Sequence, residues 1–280
     1  MPEIPDYELV KTAGVHDAER TATPRVWIPA MLVILAAVAI AAYLVYGRRP
    51  APAPASPVPE AVESSPAAVR PLGGQADTVV VPPLDESDSV VRELVRKMAS
   101  HPAVLAWLAT NGLIRNFTVV VSNVAEGNTP ARQLRVLRPA SPFKVVERDG
   151  RLFIDAQSYG RYDALAAAAA AIDPPGAARV YATLKPRIEQ AYGDLGMPPA
   201  AFDRALERAI VALLQTPALD APIPVEPKGG ISYRLADPNL EGLTPAQKQL
   251  LRTGPRNTRI IQSALRKLAL ALGVPSRRLP

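Results

Sequence analysis

The chain has 280 residues, with 32 Lys+Arg against 26 Asp+Glu, 31 Pro, 16 Gly and no Cys. The lack of cysteine removes disulfides, thiol nucleophiles and thiolate metal sites, and two histidines, His16 and His101, give imidazole chemistry little to work with. No Walker A, GxGxxG, HExxH or GxSxG string occurs, so no cofactor or metal is expected.

Residues 1–25 read as a short polar tail. Val26 to Tyr46 is a run of 21 residues without a charge. At 1.5 Å rise per residue it reaches roughly 30 Å, the thickness of a hydrocarbon core. Trp27 lies near one end and Tyr43 and Tyr46 near the other, where amphipathic rings favour the headgroup level. A secretory h-region is shorter, typically ~7–15 residues. The run therefore predicts a retained transmembrane helix over 26–46, with the lipid bilayer as its partner. Basic residues flank it almost evenly, with Lys11, Arg20 and Arg25 before it and Arg48, Arg49 and Arg70 after it. The expected location is the inner (cytoplasmic) membrane, single-pass, with the C-terminal domain periplasmic.

Residues 47–83 read as a Pro/Ala-rich linker. Nine prolines fall between Pro50 and Pro83. Proline fixes φ and suppresses helix and sheet, so an extended spacer is expected, about 100 Å long at full stretch. Residues 84–280 then form a domain of 197 residues carrying a net +8, against −2 for the first 83.

Within the domain, Val90, Val91, Leu94, Val95 and Met98 share one helical face, with Asp85 or Ser87 as the cap. Pro102 opens a second helix that Asn111-Gly112 stops, and His101 reads as a cap or a solvent-facing residue. A third helix starts at Leu113 with Ile114, Phe117, Val120, Val121 and Val124 on one stripe. FKVVE and RLFID flank Asp149-Gly150, a type I′ turn pair, and predict a β-hairpin over 143–155. Arg132, Arg135, Arg138 and Lys144, just upstream, read as a solvated basic face.

Asp163 to Ile172 is nearly all alanine, a helix with close-packing surface and no chemistry, ended by Pro174-Pro175. Val180, Leu184, Ile188 and Tyr192 mark the next helix, with a kink expected at Pro186. Phe202, Leu206, Ile210 and Leu213 mark another. Ile231, Tyr233 and Leu235 alternate after Gly229-Gly230, as in a short hairpin or arm. Thr244-Pro245-Ala246-Gln247 has capping-box form. The last helix carries Ile260, Ile261, Ala264, Leu265, Leu268 and Leu272 and ends at Gly273. The fold class expected is mainly α: one N-terminal transmembrane helix plus a helical globular domain with one or two small β-hairpins.

The strings PPLDESD, SYGRYDALA, VYATLKPRIEQAYGDLGMP, FDRALERAIVALLQTP and YRLADPNLEGLTPAQKQLLRTGPRN occur in that order. Together they resemble a bacterial domain-of-unknown-function family, the one numbered 3014, collinearly from Leu84 to Leu272. The resemblance implies one N-terminal membrane helix and a Pro/Ala-rich spacer, and it brings no activity, cofactor or catalytic residue. Leu235 stands where the family more usually has Phe, and Thr253 where Met is commoner.

The favoured role is a membrane-tethered, non-catalytic envelope binding or scaffold module. The alternative is a carboxylate-dependent cell-wall glycan-processing enzyme, which needs two carboxyl groups about 5–9 Å apart across a cleft. After Glu241 the chain has eight basic residues and no Asp or Glu. Of these, Arg252, Arg256 and Arg259 surround the start of the last helix and are the candidate anion- or partner-binding residues. Their partner would be another envelope protein or an anionic polymer, with structural pairing to Asp237 or Glu241 the competing reading. Nucleic acid is disfavoured, because no aromatic residues interleave the cations.

Overall fold

The computed structural model describes residues 71–229 and 232–280. The tail 1–25, the apolar segment 26–46, the linker up to residue 70 and the turn residues Gly230 and Ile231 lie outside the described residues. Among the described residues no single helix is long and apolar enough to cross a membrane.

Nine α-helices and four strands are present among the described residues. The first three helices are α1 (Asp88–Met98), α2 (Pro102–Leu108) and α3 (Leu113–Ala125). The residue at the α1 cap position, Ser87, makes no capping bond; its hydroxyl donates to Leu84 O instead. Asp88 reaches across to accept from the Gly112 and Leu113 N–H groups, at 2.8 Å each, and so caps α3 rather than its own helix. At α2, His101 is the cap, its Nδ1 accepting from Ala103 N–H.

The hairpin of β1 (Val145–Arg148) and β2 (Arg151–Ile154) turns at Asp149 and Gly150, with φ of 51° and 71°. Both central residues are left-handed, as a type I′ turn requires. A second hairpin, β3 (Pro224–Gly229) and β4 (Ser232–Leu235), joins it through β2, with Leu152 opposite Val225. The result is one four-stranded antiparallel sheet in the order β1-β2-β3-β4, not two separate hairpins. Ile154, Ile223, Val225 and Leu235 bury its inner face against Leu251.

The remaining helices are α4 (Asp163–Ala170), α5 (Pro174–Gly193), α6 (Phe202–Leu214), α7 (Pro238–Glu241), α8 (Pro245–Leu251) and α9 (Pro255–Ala271). Pro174 starts α5 as well as following α4, because Asp173 caps it by accepting from Gly176 N–H. α5 runs on through Pro186 to Gly193, with the backbone donor at 186 missing. The Thr244–Gln247 capping box forms in full. Helix α3 packs on α5 and α6, and α9 packs on α4, α5 and α6. Their shared core includes Leu94, Leu113, Ile188, Ile210 and the fully buried Phe202.

Residues 71–83 hold neither helix nor strand, yet they lie against this core as a strap. Leu72 is buried. Its N–H donates to Asp203, Gly73 N–H to Leu272 O and Asp77 N–H to Thr183 Oγ1, while Arg187 donates to Val81 O. Asp203 is the hub, since it also accepts from Tyr181 Oη and Lys185 Nζ, both at 2.5 Å. Burial alone would raise its carboxyl, but the bonds from Lys185, Tyr181 and Leu72 outweigh burial and hold it below the ordinary range.

A carboxylate whose folded value is lowered adds stability that is full above its unfolded value, ~3.9, and is lost as pH falls through the folded value. Asp203→Asn is expected to lower stability at neutral pH by about 3 kcal/mol. The gap to wild type should narrow below about pH 4. Denaturant titrations at several pH values check both expectations.

Candidate functional site: an apolar cavity

The helices leave a cavity of about 560 Å³ between them. Val95 of α1, Ile114 and Phe117 of α3, Ala168 of α4 and Leu268 of α9 contribute to its walls, with Leu134 from the loop before β1. No Asp, Glu, Lys, Arg or His lines it. Three alanines, Ala168, Ala169 and Ala177, stand on the wall formed by α4 and α5, so the alanine run leaves volume unfilled there. Gln249 is the one exposed residue among those that line it, which marks an opening to solvent.

A few polar groups border the cavity. Tyr181 is bound to Asp203; burial first, then that carboxylate, pushes its hydroxyl far above the ordinary tyrosine range. Thr253 donates to Leu250 O. Tyr162 Oη accepts from Arg161 Nη2 at 3.1 Å and from Gln249 Nε2 at 3.2 Å. Trp107 Nε1 is buried with no hydrogen-bond partner among the described residues, and so are Nε and Nη1 of Arg161.

Ligand pockets of about 300–1,000 Å³ with mostly apolar walls and a few placed polar groups match what is seen here.

The three arginines singled out from the sequence occupy the α8–α9 junction and point to different partners. Arg259 pairs with both oxygens of Asp220, at 2.9 and 2.5 Å. That bond, with the charge on Arg259, lowers the Asp220 carboxyl. Arg256 lies 3.6 Å from Asp163. Arg252 caps α8, is half-buried and has no carboxylate within 4 Å among the described residues. Glu241 pairs with Lys248 rather than with an arginine, and Asp237 caps α7. Gly254, between the helices, has φ of 86°, and a Cβ there would lie 2.4 Å from the Tyr159 ring. Tyr159 therefore covers the start of α9, beside the Asn257 side chain that donates to Tyr159 O and Asp163.

Sequence reading missed the cavity, the unpaired donors beside it and the strap. The alanine run was the available signal, because a buried helix of small side chains either packs closely on a neighbour or leaves room. Here it does both: Ala166 is fully buried and does not line the cavity, while Ala168 and Ala169 do.

The fold and cavity together define a helical domain with a small antiparallel sheet and an apolar site that opens to solvent. The family model described as "Protein of unknown function (DUF3014)" matches residues 113–269, more than half the chain. The chain belongs to that family. The match runs from the first residue of α3 into the last turn of α9 and so takes in most of the cavity wall. No curated protein and no solved structure matches the chain.

Replacing Arg252, Arg256 and Arg259 together with Gln is expected to lower the melting temperature only slightly, because exposed ion pairs contribute little. Thermal unfolding of the triple variant measures this, and binding to anionic liposomes reports separately whether the three arginines take an external partner.

Proposed function

We propose that the protein is a membrane-tethered, non-catalytic binding module whose ligand is an apolar chain held in the helical cavity. The single observation behind this reading is the space of about 560 Å³ whose walls hold no Asp, Glu, Lys, Arg or His. At ~30 Å³ per water-sized unit it corresponds to about 19 such units, room for one long alkyl chain. Burial of 14 methylenes at ~0.8 kcal/mol each contributes about 11 kcal/mol. An association cost of at least ~4 kcal/mol leaves at most about 7 kcal/mol, a dissociation constant no tighter than micromolar. The same walls argue against the glycan-processing alternative, whose paired carboxylates have no place in this cavity.

In this proposal residues 26–46 span the inner membrane, the linker holds the domain off the bilayer and the domain is periplasmic. The uncharged 21-residue run supports the span, and the strap supports an ordered attachment of the linker's end to the core. The basic C-terminal segment would supply a second contact, for an anionic envelope polymer or the carboxylates of an envelope protein.

Two measurements test the reading. Alkaline washing of membranes should leave the full-length protein in the pellet; release into the supernatant would refute the span. The chain has two tryptophans, Trp27, which lies outside the described residues, and Trp107, which borders the cavity. In full-length Trp27→Phe protein in nanodiscs, a brominated alkyl chain should quench Trp107 with a micromolar midpoint, and Ala169→Phe should weaken the quenching. Emission indifferent to the brominated chain would refute the cavity as a binding site.

A further inference from the structure

We infer that the ligand carries an anionic, acceptor-only headgroup held at Arg161 beside Tyr162, so that the site takes a single-chain amphiphile such as a long-chain carboxylate. This rests on the apolar-chain reading above and adds the chemistry of the head.

The argument is a count of donors. Arg161 has three polar nitrogens. Nη2 donates to Tyr162 Oη, while Nε and Nη1 are buried with no acceptor among the described residues. No carboxylate lies within ion-pair distance of this guanidinium among the described residues; what covers it is aromatic, with Phe143 at 5.8 Å and Tyr162 at 5.2 Å from ring centroid to Cζ. Arg161 is half-buried as a residue, but its Nε and Nη1 are out of contact with solvent, and buried donors without acceptors are costly. Arg256 and Arg259, near this end of the domain, have carboxylates in Asp163 and Asp220, whereas Arg252, like Arg161, has none within 4 Å among the described residues; Arg161 differs from Arg252 in having two buried nitrogens without an acceptor.

Its position connects this surplus to the cavity. Tyr162 lines the cavity and is the group to which Arg161 is bound. The same hydroxyl accepts from Gln249, the exposed residue at the opening. With two donors already directed at its oxygen, the Tyr162 proton is itself available to an acceptor. Trp107 Nε1, on another part of the wall, is a further buried donor without a partner. Thr216 Oγ1 and Asn257 Oδ1, the other buried groups without partners among the described residues, belong to residues that do not line the cavity; those at Trp107, on the wall, and at Arg161, next to the lining residue Tyr162, are thus donors. A neutral alkane would leave them all unpaired, and an alcohol would bring a donor of its own. A carboxylate or a phosphate monoester brings only acceptors, and charge-assisted bonds to a guanidinium are the strong ones. The opening at Gln249 puts the head near solvent, with the chain extending inward between Ala168 and Ile114.

The test uses the full-length Trp27→Phe protein in nanodiscs and Trp107 quenching by brominated chains of equal length ending in a carboxylate, a phosphate or an alcohol. The carboxylate and the phosphate separate a fatty acid from a lysolipid-like source of the same anionic chemistry. At least one of the two anionic chains is expected to bind about tenfold or more tightly than the alcohol. Arg161→Gln should remove that advantage while leaving the alcohol's affinity and the melting temperature near wild type. Arg161→Lys, which keeps the charge, should retain part of it. Equal affinity for all three chains, or an advantage that survives in Arg161→Gln, overturns the headgroup inference and leaves the cavity reading standing. Failure of all three to quench overturns both.

Discussion

Phe202 is fully buried, and three aromatic rings close on it: Phe117 from α3 at 5.9 Å, Tyr181 at 6.3 Å and Tyr192 at 5.2 Å from α5. This clasp fastens the first residue of α6 to the two helices it crosses and fills that part of the core with large rigid side chains. Phe117 and Tyr181 also border the cavity, so the clasp is one of its walls. The α4 and α5 wall mixes Ala168, Ala169 and Ala177 with the larger Leu165, Val180, Leu184 and Ile188.

The next residue, Asp203, ties the same helix end to the strap. Its carboxylate takes the Leu72 N–H, the Tyr181 hydroxyl and the Lys185 ammonium at once. Adjacent residues on α6 therefore do two jobs: one organises the core and the other fixes the end of the linker to it. Tyr181 takes part in both, through its ring and its hydroxyl.

Much of the helical framework is legible in the sequence because it is local. The apolar stripes of α1, α3, α6 and α9, the Asp149-Gly150 turn and the Thr244 capping box each depend on residues within one or two turns of one another. What is not legible depends on contacts distant in sequence. Leu152 meets Val225 only in the folded sheet, so a pattern that reads as two hairpins assembles into one sheet. Asp88 reads as a first-turn acid of α1, yet its oxygens serve α3. Leu72 sits in a proline-rich stretch with no periodicity, and its burial is evident only once Asp203 is in place. Of the arginines chosen from charge density alone, Arg256 and Arg259 have carboxylates nearby and Arg252 has none among the described residues, whereas Arg161, with two buried nitrogens lacking acceptors, carries no distinguishing pattern around it.

The central claim is that the space between the helices is a ligand site rather than a packing defect. Native mass spectrometry of the full-length protein, released from its own membrane in mild detergent, tests this most directly. The account predicts one tightly retained single-chain species per protein chain, removed by Ala169→Phe. A protein that flies bare, with the same unfolding stability before and after exhaustive delipidation, would contradict it.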